Sequence, residues 1–329
     1  MKHIQKVAVI GLGSIALRHR RNLKTSYPAA SILAMSASGR IPAEPIEYAD
    51  EVVPDIISLI EIRPYLVIIA SPSSIHAQQA MPLIKAGIPV LIEKPVTATV
   101  SDSSRLIKFA AKHQTPIAVG YCLRYLSSSL IMKSLIDDQV IGKIYNLQAE
   151  VGQFLPDWRP DKKVKETVSA NESLGGGALL ELSHELDYIQ WLIGDLTVEY
   201  AQLRHSKELD LDVEELADMV LTTKTGTVCN VHLDFLQKQA LRHCHFIGSK
   251  GRLNWDLLNN TISLHSSLGD NVVYSEPEWD KNQMYLAMIE DFVNQIEGNS
   301  HQCISLNQAA TTVRLVEQIK QISVQGVTQ

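Results

Sequence analysis

The chain has 329 residues, 45% of them hydrophobic and 20% charged, and 30 basic against 36 acidic side chains leave a formal net charge of -6. That length suits two ordinary domains with packed cores, and the composition is too apolar for disorder. No global cationic field exists to hold a phosphate backbone or an anionic bilayer, and the longest clean apolar runs, such as Tyr65 to Ala70, fall far short of the roughly 18 residues of a membrane helix, so neither a nucleic-acid nor a membrane partner is expected.

Lys2 and Lys6 lead straight into Val7-Ala8-Val9-Ile10 and Gly11, too short an apolar block for a signal peptide, so the mature chain is expected to start near Met1. From there short β-branched runs alternate with amphipathic helical segments. Val7 to Ile10, Ile32 to Met35, Leu66 to Ala70, Val90 to Glu93 and Ile117 to Gly120 read as strands. Their near-continuous apolarity suits burial on both faces, and right-handed crossovers then give a doubly wound parallel α/β sheet. Ala86-Gly87 ends one helix, and Ser101 caps the next over Asp102 to His113.

After about Gly120 the pattern changes. A long helical stretch (Leu123 to Asp138) leads into a strand, Lys143 to Val151, and a loop with Pro156 and Pro160. Ala217 to Thr223 and Thr227 to Phe235 flank Lys224-Thr225-Gly226, and Arg242 to Ile247 and Arg252 to Asp256 flank Gly248-Ser249-Lys250-Gly251; both are hairpin signals of an antiparallel sheet. Helices over Asn282 to Ile296 and Leu306 to Ile322 close the chain. The expected division is a dinucleotide-binding domain over 1–121 and a substrate-binding and oligomerisation domain over 122–329.

The four cysteines, Cys122, Cys229, Cys244 and Cys303, contain no C-x-x-C pair, which argues against a disulfide framework or zinc knuckle and fits a reducing cytoplasm. In His243-Cys244-His245 only the two histidines share a strand face and no third ligand lies nearby, so no metal is expected.

Directly after the first strand comes Gly11-Leu12-Gly13-Ser14-Ile15-Ala16, a dinucleotide fingerprint with alanine in the third small position. Gly11 permits the tight turn, Gly13 admits a pyrophosphate, Ala16 keeps helix close to strand, and the helix N-terminus at Ser14 and Ile15 faces the anion. In the NAD pattern an acid about twenty residues on reads the ribose. Here the segment is Met35-Ser36-Ala37-Ser38-Gly39-Arg40. Ser36, Ser38 and Arg40 offer donors and charge for a 2'-phosphate, so NADP is favoured with NAD possible; the alternative is an Arg40 in solvent. Ser71-Pro72-Ser73, with His76 just beyond, and Glu93-Lys94-Pro95 lie at strand carboxyl ends, where an open parallel sheet binds ligands. Lys94 can neutralise a reacting oxygen with Glu93 positioning it; an ordinary salt-bridged pair is the alternative.

Gly175-Gly176-Gly177 opens a helix carrying Glu181, His184 and Asp187 at steps of three, which places them on one side. A histidine between two carboxylates can accept a proton, and it can equally be a satisfied core residue. Trp158 offers a flat face to a pyranose, and Asp157 and Arg159 offer polar groups to hydroxyls, a carboxylate or a phosphate; the alternative is a tryptophan that covers the sheet.

Taken together, the N-terminal fingerprint, Glu93-Lys94-Pro95, the glycine-led helix with His184 and Asp187, and the C-terminal mixed sheet resemble the Gfo/Idh/MocA oxidoreductase family over nearly the whole chain. The resemblance implies a Rossmann domain followed by an α/β domain with a large open, mostly antiparallel sheet. It also implies NAD(P)-dependent oxidation or reduction of a sugar or cyclitol hydroxyl, with Lys94 and His184 as the catalytic pair. Many members carry Asp four residues before the histidine, where this chain has Leu180, with Glu181 next to it. By the same resemblance Tyr121, Arg124 and Tyr125 line the substrate cleft. The segment Phe154 to Pro160 is similar to a loop in the branch linked to bacterial surface-sugar and nonulosonic acid pathways. A homodimer or homotetramer is implied through the outer face of the sheet, where Val228, Val231 and Leu233 are expected as apolar surface. An NAD-dependent glycosidase of the same fold and a non-catalytic dinucleotide sensor are the alternative functions.

Overall fold

The structure, a computed structural model, describes residues 4–323. Contacts divide it into two compact units, one of the described residues up to Cys122 with Tyr285–Val313, the other of Leu123–Met284 with the described residues from Arg314 onward.

In the first unit, strands β1 (Lys6–Ile10), β2 (Ser31–Met35), β3 (Glu51–Val53), β4 (Val67–Ile69), β5 (Val90–Glu93) and β6 (Ile117–Gly120) form a six-stranded sheet. Its order is β3-β2-β1-β4-β5-β6, and every pairing is parallel. Val7, Val9, Ile32, Ile68, Val90 and Ile92 are wholly buried, as strands covered on both faces require. The order reverses between β1 and β4, so the carboxyl ends of these two strands frame the crevice where such sheets bind ligands. Helices α1 (Ser14–Ser26), α2 (Ile56–Ile62), α3 (His76–Lys85) and α4 (Val100–Ala110) make the crossovers. The α4 cap is Thr99, whose hydroxyl accepts the Asp102 amide, and not Ser101, which lies inside the helix. Chain order alone does not reveal that 285–313 pack here; the Val119 amide donates to the Ile304 carbonyl at 2.9 Å.

The second unit starts with α5 (Ser127–Asp137), then β7 (Ile144–Gly152), α6 (Ala178–Glu181) and α7 (His184–Ile193). Strands β8 (Leu196–Arg204), β9 (Leu216–Thr223), β10 (Val228–Asp234), β11 (Leu241–Gly248), β12 (Gly251–Asp256), β13 (Thr261–Ser266) and β14 (Gly269–Ser275) complete the sheet. Its order is β14-β13-β12-β11-β7-β10-β9-β8, antiparallel except for β10 against β7. In the chain, helices α8 (Gln283–Glu297) and α9 (Leu306–Ile322) follow, close to the predicted spans, with Tyr285–Val313 belonging to the first unit.

The open face of the eight-stranded sheet does not carry the apolar residues Val231 and Leu233 expected there. Val231 and Leu233 are 3% and 0% exposed, in phase with buried Cys229, and pack inward. The outward positions of the same strands carry Gln148, Glu150, Asp218, Asn230, His232 and His245, which line an open depression of about 400 Å³. Period-two alternation puts the apolar set on one face, and that is the covered one. His232 on the open face bonds Asp218 at 2.7 Å and Asp234 at 3.0 Å, and the Asp234 bond leads in pushing the imidazole up to about 9.

Candidate active site

At the end of β1 the chain turns at Gly11, whose φ of +115° suits only glycine, and whose amide donates to the Met35 carbonyl at 2.8 Å. A Cβ there would lie 2.3 Å from the Ala70 carbonyl oxygen. A Cβ on Gly13 would meet nothing within 4 Å, and Gly13 caps α1 without any side-chain bond to the first turn, which also holds no acid. Exposed Gly13 and Ser14 thus present an uncapped helix end, with Ala16 buried beneath. Free amides and the positive end of the helix dipole suit a pyrophosphate, so these residues fit the dinucleotide the motif implies.

Beyond β2, the Ser36 and Ser38 hydroxyls lie 3.1 Å apart and Arg40 is exposed. A depression of about 340 Å³ opens here, lined by Met35, Ala37, Pro54, Asp55 and Ile75 among others. Asp55 is the acid that a search confined to the end of β2 misses, since it follows β3. Its carboxylate accepts the Ser58 amide and hydroxyl, bonds that hold it below the usual carboxylate range.

At the ends of β4 and β5 the predicted residues are knitted together. The Ser71 hydroxyl donates to Gln79 Oε1 at 2.6 Å, and Ser73 is buried in a short 3-10 turn. His76 is buried with Nε2 2.8 Å from the Ser71 carbonyl and Nδ1 3.1 Å from the Pro95 carbonyl, joining the two strand ends; burial pushes its pKa down. Pro72 separates Ser71 and Ser73 at this junction. Glu93 is buried. One carboxylate oxygen lies 2.6 Å from His19 Nε2 and the other accepts the Lys94 amide at 3.1 Å. Lys94 follows at the β5 carboxyl end, half-buried. Tyr121, after β6, is fully buried.

In the second unit, Gly177 has φ +105°, and a Cβ on it would strike the Glu214 carboxylate, which itself accepts the Leu179 amide. The expected continuous helix is broken: α6 is one turn ending at Glu181, Leu182 leaves helical geometry, and α7 begins at His184. The steps-of-three alignment of Glu181 and His184 on one helix is therefore absent. Asp187 does not face a histidine either. It takes two bonds from Arg124, at 2.9 Å to Nε and 2.7 Å to Nη2, and burial raises its pKa against that pairing. Sequence reasoning also missed Glu185, 0% exposed and bridged by Arg242 at 2.7 and 3.0 Å. Trp158 stands edge-on to Phe235 with centroids 5.6 Å apart, its indole nitrogen buried, while Asp157 is exposed and Arg159 half-buried.

Comparison with known proteins matches residues 5–121 to the family described as "Oxidoreductase family, NAD-binding Rossmann fold" and residues 130–254 to the "GFO/IDH/MocA C-terminal domain". The chain belongs to the Gfo/Idh/MocA oxidoreductase family. Within it, this chain is 27% identical over 270 residues to inositol 2-dehydrogenase 1 of Saccharopolyspora erythraea, covering 78% of this chain and 75% of that one. Among solved structures, levoglucosan dehydrogenase in complex with NADH superposes with a TM-score of 0.84 at 18% identity, over 97% of this chain and 96% of that one. UDP-N-acetylglucosamine 3-dehydrogenase from Acidithiobacillus ferrooxidans gives 0.77 at 21% identity, over 98% of both. The likeness to these two structures is one of fold. No described helix is long and apolar enough to cross a membrane.

Proposed function

We propose that this protein is a nicotinamide-dependent oxidoreductase acting on a hydroxyl or keto carbon of a sugar or sugar derivative. The observation that carries the reading is the open, uncapped α1 terminus behind Gly11 and Gly13 in a chain of this family. The chemistry supplied by a bound nicotinamide is acceptance or return of a hydride at the carbon that bears the hydroxyl. In the oxidative direction His184 accepts the hydroxyl proton and Lys94 stabilises the oxygen as negative charge develops; reduction reverses both roles. Residues 1–121 serve the dinucleotide, and 122–329 serve substrate recognition and assembly. Tyr121, Arg124, Asp157, Trp158, Arg159, Glu181 and Asp187 belong to substrate recognition, with Asp187 acting through the Arg124 guanidinium that it holds. A mass-spectrometric screen of free and activated sugars with both cofactors tests this reading. Conversion of at least one sugar with matching cofactor turnover is expected, and binding of dinucleotide without conversion of any sugar would favour a sensor.

NADP is the cofactor assigned by this proposal, through Ser36, Ser38 and Arg40. Support comes from the absence of an acid over Met35 to Arg40 and from the commitment of Asp55 to its helix cap. NADPH is expected to bind more tightly than NADH by intrinsic-fluorescence titration. A tenfold preference for NADH, about 1.4 kcal/mol, would instead assign the ribose to Asp55.

Assembly as a homodimer or homotetramer through the open face of the eight-stranded sheet completes the proposal. That face mixes His232, His243 and His245 with Glu150 and Asp218, so a two-fold contact can set imidazoles of one copy against carboxylates of the other. Sedimentation is expected to give a dimer or tetramer at micromolar concentration, and a monomer throughout would remove this part.

A further inference from the structure

Helix α1 does more than present its N-terminus. Two successive residues on it, both buried, reach different loops of the parallel sheet. Arg20 donates from Nη1 to the Gly11 carbonyl at 3.2 Å and from Nε to the Glu47 carbonyl at 2.9 Å, bracing the phosphate turn. His19, 0% exposed, places Nε2 2.6 Å from Glu93, whose second oxygen holds the Lys94 amide. The Glu93 carboxylate lies against Gly120, where a Cβ would come within 3.2 Å of it, so the glycine leaves the space that the carboxylate occupies.

We propose that His19 and Glu93 are positioning residues, and that their buried hydrogen bond ties the phosphate-binding helix to the Lys94 turn and so sets Lys94 relative to the bound dinucleotide. This rests on the role given to Lys94 above. The imidazole is a poor choice for core filling. Its Nδ1 is buried with no hydrogen-bond partner, and such an orphan costs about as much as the neighbouring charge-assisted bond contributes. A leucine would fill similar space without that loss. The bond is therefore close to neutral for stability, and its effect is geometric: it fixes a carboxylate whose other oxygen fixes the backbone of Lys94. Registering a reacting group to within a fraction of an ångström is worth large rate factors.

The experiment uses full-length His19→Leu, His19→Gln, Glu93→Gln and Lys94→Ala proteins. For each, dinucleotide affinity is read by fluorescence titration, kcat and KM across pH on a converted sugar, and the melting temperature by calorimetry. His19→Leu is expected to lower kcat by about tenfold or more, with sugar KM and dinucleotide Kd within roughly threefold of wild type. His19→Gln, whose amide nitrogen reaches the place of Nε2, is expected to recover most of that loss. Glu93→Gln keeps the volume but leaves one acceptor oxygen for two donors, His19 Nε2 and the Lys94 amide, unless the imidazole changes tautomer and buries an unpaired Nδ1–H, so it is expected to lower kcat in the same direction as His19→Leu and carries the test if His19→Leu does not fold. In both damaged variants the pH profile of kcat is expected to shift, which a purely structural bond would not cause. Near-normal kcat in His19→Leu and Glu93→Gln, alongside a crippled Lys94→Ala, overturns the proposal and leaves the function reading standing. Near-normal kcat in Lys94→Ala removes the role of Lys94 itself, and this proposal with it.

Discussion

Lys94→Ala and His184→Ala are each expected to lose on the order of a hundredfold or more in kcat, about 2.7 kcal/mol of transition-state stabilisation. The two losses have different origins. Lys94 follows a buried strand, β5, on a turn whose amide is held by Glu93, and under the function proposed above its ammonium is the group that meets developing negative charge. His184 opens α7, with Ser183 as the residue before it, and under the function proposed above it is the group that accepts the hydroxyl proton. Dinucleotide affinity is expected to persist in both variants, because both keep the Gly11 to Ala16 turn unchanged. Turnover of an identified sugar is the readout, in proteins that still bind dinucleotide and melt near the wild-type temperature. A variant with near-normal kcat would make its residue structural.

Gly11→Ala and Gly13→Ala are expected to fail in different ways, although they sit two residues apart in one motif. The added Cβ at Gly11 enters a backbone conformation that side chains avoid and lies 2.3 Å from the Ala70 oxygen. Relief requires β1 and β4 to separate where Ala70 donates to Ile10 at 2.8 Å. Positive-φ strain and overpacking together cost roughly 3 kcal/mol, a fall of about 6–12 °C in Tm, and dinucleotide binding goes with the turn. At Gly13 the Cβ meets only open space and φ is -75°, so the fold tolerates alanine. The methyl then occupies the approach of the pyrophosphate, and affinity is expected to fall about tenfold or more with Tm almost unchanged. Calorimetry and fluorescence titration on both proteins separate the effects. Equal Tm losses would mean that Gly13 is as tightly enclosed as Gly11.

The parallel sheet was legible because strands buried on both faces are uninterrupted apolar runs, and the hairpins around Gly226 and Gly248 to Gly251 because turn glycines punctuate alternating segments. Strand β3 has three residues, and β14 is almost wholly exposed, so neither leaves an apolar pattern to find. Alternation singled out Val231 and Leu233 as apolar positions of one face but could not say that this face is the covered one. At the site, adjacent groups were readable and distant pairs were not. His19 and Glu93 are 74 residues apart, and Arg124 and Asp187 63 apart. The one local clue to the first pair is that His19 falls in helical phase with buried Ala16 and Leu23, a polar residue on an apolar face. The break after Glu181 escaped because Leu182 and Ser183 carry no glycine or proline to announce it.

The central claim, net oxidation or reduction of a sugar hydroxyl by this chain, is tested most directly by stoichiometry. A purified sample is given a converted sugar with oxidised dinucleotide in excess, and reduced nicotinamide and sugar product are both quantified. One reduced nicotinamide per sugar oxidised is expected, with the ratio constant through many turnovers. Sugar cleaved or released with no net reduced nicotinamide would contradict the account and identify a glycosidase that recycles its cofactor.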